Sequence, residues 1–214
     1  MNILDDLAVK YGADKSSKFH NYTRYYEAYL NANRQIFKNI LEIGVGRGCS
    51  LKMWKDYFPN ATVFGIDILP SCKTIECDRI KIFIGSQVDD AFLDKTTDGI
   101  SFDLIVDDGS HRVEHQIYTF KKLFSKVKSK GYYILEDLNT SYWPKFGGGL
   151  KKSGATIEFL KDRIDDVYFS GYRYGNSNIL NSDLLVQNKP GLNEFEKNIE
   201  SMHFYNGFVV FLKR

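Results

Sequence analysis

Five apolar runs punctuate the chain, each ending in glycine or an acid: NILEIG from Asn39, TVFGID from Thr62, IKIFIG from Ile80, FDLIVDD from Phe102 and YYILED from Tyr132. Their β-branched and aromatic content predicts strands. Between them, Ser50–Phe58 and Val113–Val127 repeat apolar residues at helical spacing, as in Ile117, Phe120, Leu123 and Phe124, and a further helix is expected from Gly154 to about Ile164. Strands alternating with helices predict an α/β sheet with crossover connections. The tail follows a different pattern. Asp166–Arg173, Asp183–Gln187 and Gly207–Lys213 are expected as strands with connections too short for crossovers, which forces antiparallel pairing. A mostly parallel sheet closed by an antiparallel hairpin follows. Ahead of it, Ile3–Tyr11 and Tyr25–Asn33 read as helices flanking the polar segment GADKSSKFHNYTR, a candidate lid or substrate loop.

Composition narrows this little. A chain of 214 residues holds one sizeable core, so a single domain is expected, with residues 1–36 as a helical lid or substrate segment and 37–214 as the core. A net charge of +2 and dispersed Lys and Arg argue against nucleic acid or an anionic membrane as partner. Lys121, Lys122 and the run Lys126–Lys130 read as a solvated helix flank. Three cysteines without a CxxC pair point to neither zinc nor disulfides. Met1–Tyr11 lacks the apolar core of a signal peptide and no segment could span a bilayer, so a cytoplasmic location is expected.

The acids carry more information. Two apolar runs stop at carboxylate pairs, Asp107–Asp108 and Glu136–Asp137, which a parallel sheet would place at one rim. Packing like charges side by side needs a neutralising cation, and a hard divalent metal suits oxygen donors. His111, just after Asp108, is a candidate base beside it. His115 fits a helix position better than a metal pair with His111. The turn LEIGVGRGCS places Gly44, Gly46 and Gly48 between strand and helix, where the backbone can approach a nucleotide-like ligand. Its GxGxG spacing departs from the dinucleotide fingerprint and argues against NAD. Glu42 could bind an amino group such as that of a methionine moiety, Asp67 a ribose hydroxyl pair, and Ser86 and Gln87 an adenine edge. The segment SYWPKFGGG, with Tyr142 and Trp143, reads as a wall of a substrate pocket.

The pieces GADKSSKFHNYTRYYE, LEIGVGRGCSLKMW, GIDI, GSQVD, IVDDGSHRVEH, ILEDLNTSYWPKFGG and MHFYNGFVVFLK span nearly the whole chain. Together they resemble the class I S-adenosylmethionine-dependent methyltransferases, and within them the macrocin and mycinamicin sugar O-methyltransferases. The resemblance implies a Rossmann-like α/β fold with a seven-stranded, mostly parallel sheet, a C-terminal antiparallel hairpin and helices on both faces. It implies Mg2+ held by Asp108, Glu136 and Asp137, His111 as general base, and S-adenosylmethionine contacted by Glu42, Gly44, Gly46, Asp67, Ser86 and Gln87. Asp107 is expected to face the cofactor or orient a loop amide. The expected reaction is methyl transfer to a hydroxyl of a sugar or glycosylated small molecule, with Lys15, His20, Tyr22, Tyr142 and Trp143 as acceptor contacts and homo-oligomerisation left open. A phosphorylated or amine-bearing acceptor is the alternative, suited to Lys15, Lys18, His20 and Arg24. A non-catalytic binding protein is disfavoured by the intact acidic cluster.

Overall fold

The computed structural model describes residues 2–175, 181–188 and 190–214. They fall into two compact units, Met1–Ser110 and His111–Arg214.

The first unit opens with α1 (Ile3–Tyr11), whose first turn is capped by the Asn2 side chain accepting from Asp5 N, and which stops at Gly12 in the left-handed region. Next come α2 (Thr23–Leu30), β1 (Asn39–Ile43), α3 (Cys49–Tyr57), β2 (Thr62–Asp67), β3 (Ile80–Ile84), α4 (Asp90–Thr97) and β4 (Phe102–Asp107). β1 pairs in parallel with β2 and β4, and β2 with β3. Every residue of β4 is buried, as expected of a strand covered on both faces. The register sets Ile43 beside Ile66 and Asp107, so the glycine turn, Asp67 and Asp108 leave the strands at one rim. Sequence patterning does not single out α4; Asp89 caps it through a bond from Phe92 N.

The second unit contains α5 (Val113–Leu123), β5 (Val127–Leu135), α6 (Thr156–Val167), α7 (Phe169–Tyr174), α8 (Ser182–Asn188), α9 (Glu194–Asn198), β6 (Ile199–Tyr205) and β7 (Phe208–Lys213). β7 pairs antiparallel with both β5 and β6. The strand order β3-β2-β1-β4-β5-β7-β6 makes the seven-stranded mixed sheet with its C-terminal hairpin. Among the described residues no helix is long and apolar enough to cross a membrane.

Three expectations are corrected. Asp166–Arg173 and Asp183–Gln187 are helical, not extended. Burial there does not alternate: Asp166 and Phe169 are buried three residues apart while Tyr168 and Tyr172 face solvent, and Phe169 packs with Leu185 and Leu192 in a satellite cluster. The aromatic residues that suggest strands lie mostly on the wet side of helices. The hairpin instead draws on β6, a strand the apolar pattern does not reveal. Of the lysines at 126–130 only Lys126 sits at a helix end, closing a 3-10 turn after α5, while Lys128 and Lys130 lie in β5, which begins at Val127.

Gly44 has φ +91°, and a Cβ there would lie 2.0 Å from the Asp108 carbonyl oxygen. Gly46 has φ +51° with nothing within 4 Å of such a Cβ. Gly44→Ala is therefore expected to lower unfolding free energy by at least about 3 kcal/mol, from backbone strain plus overlap. Gly46→Ala should cost only about 1 kcal/mol. Urea denaturation of both variants distinguishes the two, and equal losses would refute the close approach.

Candidate functional site

The first unit gathers several carboxylates beside the glycine turn. Asp67, the last residue of β2, accepts from Val45 N at 2.8 Å and Gly46 N at 3.0 Å through Oδ2, and from Leu69 N at 2.9 Å through Oδ1. Burial pushes its carboxyl up, but these amides outweigh that and hold it below the usual carboxylate range. Asp67 thus shapes the turn that Gly44 and Gly46 open. Ser86 Oγ accepts from Val88 N at 3.3 Å. Gln87, almost fully buried, donates to Asp107 Oδ1 at 3.4 Å and accepts from Ser110 N at 2.9 Å. Asp107 is itself buried, and Gln87 bridges its carboxylate to the loop amide of Ser110.

Glu42 lies within β1, 0% exposed, accepting from Trp54 Nε1 at 2.6 Å. Among the described residues its buried Oε1 has no hydrogen-bond partner. Burial first, helped by the nearby Asp108 charge, pushes its carboxyl up to about 7 despite the opposing pull of Lys15. Lys15 is also 0% exposed. Its Nζ donates to Asp108 Oδ2 at 2.6 Å and lies 3.5 Å from Glu42 Oε1 and 3.9 Å from Asp14.

The segment expected as a lid is fastened by its own backbone. Tyr22 N and Thr23 N donate to Lys15 O, His20 N to Asp14 O and Asn21 N to Ser16 O, with Asn21 at φ 57°. Ser17 N and Thr23 Oγ1 both donate to Asp5 Oδ1 at 2.7 Å. Of the acceptor candidates here, Lys15 and Tyr22 are buried, Tyr22 stacking on His20 and leaning on Tyr26, while His20 is exposed. Phe19, 67% exposed, is a surface ring that no periodicity singles out.

In the second unit His111 and Asp137 both adopt left-handed backbone, φ 59° and 54°. Such strain at non-glycine residues persists only where the surroundings enforce it. His111 Nε2 lies 3.5 Å from Asp137 Oδ2, and among the described residues His111 Nδ1 is a buried nitrogen without a hydrogen-bond partner. Thr140 Oγ1 reaches both His111 O at 2.9 Å and Asp137 O at 2.8 Å. Glu136 is almost fully buried; its carbonyl accepts from Gln116 Nε2, whose Oε1 accepts from Thr156 Oγ1. His115 sits in α5, held below its ordinary value chiefly by burial. Tyr142 and Trp143 are half exposed, on a segment folded back by Gly148 N and Gly149 N donating to Trp143 O and Ser141 O.

No family model matches the sequence. Over 206 residues the chain is 36% identical to the L-olivosyl-oleandolide 3-O-methyltransferase of Streptomyces antibioticus, spanning 90% of this chain and 52% of that protein. It is 33% identical to the mycinamicin VI 2''-O-methyltransferase of Micromonospora griseorubida, over 99% of this chain and 52% of that one. The solved structure of MycE methyltransferase from the mycinamycin biosynthetic pathway, in complex with Mg and SAH, superposes with a TM-score of 0.84 at 31% identity, covering 98% of this chain and 53% of that chain. The fold is that of a Rossmann-like methyltransferase. The resemblance to sugar O-methyltransferases is borne out by these relatives, and the chain spans about half the length of the curated ones it matches.

Within this methyltransferase fold, Asp67→Asn keeps the size but loses the charge that three amides stabilise, and should cost about 1–3 kcal/mol at neutral pH. Because the folded pKa is depressed, the contribution is full above the ordinary aspartate value and is lost as pH falls through the lower folded one. Urea midpoints of wild type and variant should converge in strong acid; a gap that persists there would contradict this account.

Proposed function

We propose that the chain is the catalytic part of an S-adenosylmethionine- and Mg2+-dependent O-methyltransferase acting on a hydroxyl of a sugar or glycosylated small molecule. The observation that carries it is His111: a buried ring nitrogen without a partner among the described residues, strained backbone and a carboxylate at its other nitrogen, in a methyltransferase fold. An alcohol needs a base, and this nitrogen has room for a proton. Support for the rest comes from relatives that methylate sugar hydroxyls by name, and from the Mg and SAH bound by MycE.

Asp108, Glu136 and Asp137 are the proposed ligands: carboxylate oxygens fit a hard divalent cation, and within the second unit His111 faces Asp137, which leaves the imidazole for the proton. When bound, the metal would favour loss of the hydroxyl proton and S-adenosylmethionine would supply an electrophilic methyl group. The chain's own part is to take that proton at His111 Nδ1 and to stabilise the imidazolium through Asp137. The glycine turn braced by Asp67, with Glu42, Ser86 and Gln87, forms the cofactor side, and the half-exposed rings of Tyr142 and Trp143 offer an apolar face to a sugar. Lys15 is committed to carboxylates, which removes one of the four residues suited to a phosphorylated acceptor. We place the protein in the cytoplasm, where the free Cys49, Cys72 and Cys77 would stay reduced.

His111→Ala should lower kcat about 10²–10⁴-fold on glycoside acceptors while SAH affinity, read by calorimetry, stays within twofold. Loss of SAH affinity instead would sink the base assignment. Chelation with EDTA should abolish turnover and added Mg2+ restore it; an enzyme indifferent to both would refute the metal.

A further inference from the structure

Lys15 is a fully buried ammonium in a segment that sequence patterning marks as solvated. Lysine is almost never fully buried unless paired, and burying its charge costs several kcal/mol that only good geometry offsets. The carboxylates of Asp14, Glu42 and Asp108 lie within 3.9 Å of it, and Asp14 is the most exposed of them. Glu42 is 0% exposed and has no access to water, so pairing with Glu42 would relieve the larger desolvation cost. Asp108 keeps 18% of its side-chain surface and could be hydrated without help. The short, charge-assisted bond nevertheless goes to Asp108 at 2.6 Å, while Glu42 Oε1, at 3.5 Å, has no hydrogen bond among the described residues. An arrangement built for stability alone would choose the other partner.

We propose that Lys15 is a positioning residue of the active site: it fixes the orientation of the Asp108 carboxylate and, as a resident positive charge, holds the cation affinity of that site down so that the bound metal exchanges. With the ammonium in place the Asp108 carboxylate is already partly neutralised, whereas without Lys15 its full charge would attract a divalent ion more strongly. The chain delivers Lys15 through the Gly12 turn and the bonds of Tyr22 N and Thr23 N to its carbonyl, which clamp its backbone while the side chain reaches inward.

The inference rests on the proposed metal reading of Asp108, and Mn2+ binding separates the two. In the intact chain without substrate, Mn2+ affinity is measured by electron paramagnetic resonance for wild type, Lys15→Met and Lys15→Arg, with thermal melting alongside. Lys15→Met should bind Mn2+ about tenfold or more tightly, in line with loss of a nearby like charge at an effective dielectric of about 20, while Lys15→Arg stays near wild type. A merely structural lysine would give the opposite pattern in Lys15→Met, weaker Mn2+ binding together with a lower melting temperature. Unchanged or weaker binding in Lys15→Met overturns the inference while leaving the metal site standing; no Mn2+ binding by wild type overturns both. Should Lys15→Met fail to fold, the pair Lys15→Met/Glu42→Gln against Glu42→Gln alone makes the same comparison with the buried carboxylate neutralised, and the same tenfold gain is expected.

Discussion

The first unit depends on a backbone-to-backbone approach at the ends of β1 and β4. Asp108 N donates to Ile43 O and Gly44 N to Ile66 O, which locks the exits of three parallel strands together before any side chain is considered. Only a residue without Cβ fits between them. Once that crossing is set, the glycine turn must curl over Asp67, and Asp108 must emerge where Lys15 waits. Side-chain chemistry at the rim is thus a consequence of main-chain geometry, and not its cause.

How much of this is legible in the sequence varies with the kind of signal. The five central strands stand out because each apolar run is bounded by glycine or acid, and burial on both faces leaves no competing pattern. The tail misleads because Tyr168, Tyr172 and Phe169 carry strand propensity, while the satellite cluster around Phe169 and Leu185 rewards helical spacing. Propensity loses to packing there. Asp107, Asp108 and His111 stand out because charges at the end of a buried strand have few structural uses. Lys15 does not, since a lysine among polar residues has no periodicity to betray that it points inward; only the closed backbone turn around it does so.

Charge neutralisation and hydrogen-bond supply are divided differently in the two units. Around Glu42 and Asp108 the compensation is ionic and incomplete, so some electrostatic tension is retained. Around His111 and Asp137 the tension lies in the backbone, held in the left-handed region by neighbouring bonds. Both are of a sort that a ligand could relieve, which a self-sufficient core would not leave open.

The Thr140 hydroxyl sits at one point of contact with two carbonyls, those of His111 and Asp137. A hydroxyl has a single proton, so it shares or alternates between them and holds both loops to a common reference. Beyond it the segment turns back tightly on the anchor, since a Cβ at Gly148 would lie 2.3 Å from the Ser141 carbonyl oxygen, while Tyr142 and Trp143 keep their rings outward. On the proposed function, this anchor would hold the geometry at His111 and Asp137 fixed while acceptor choice is left to the exposed rings of Tyr142 and Trp143, which a lineage could exchange alone.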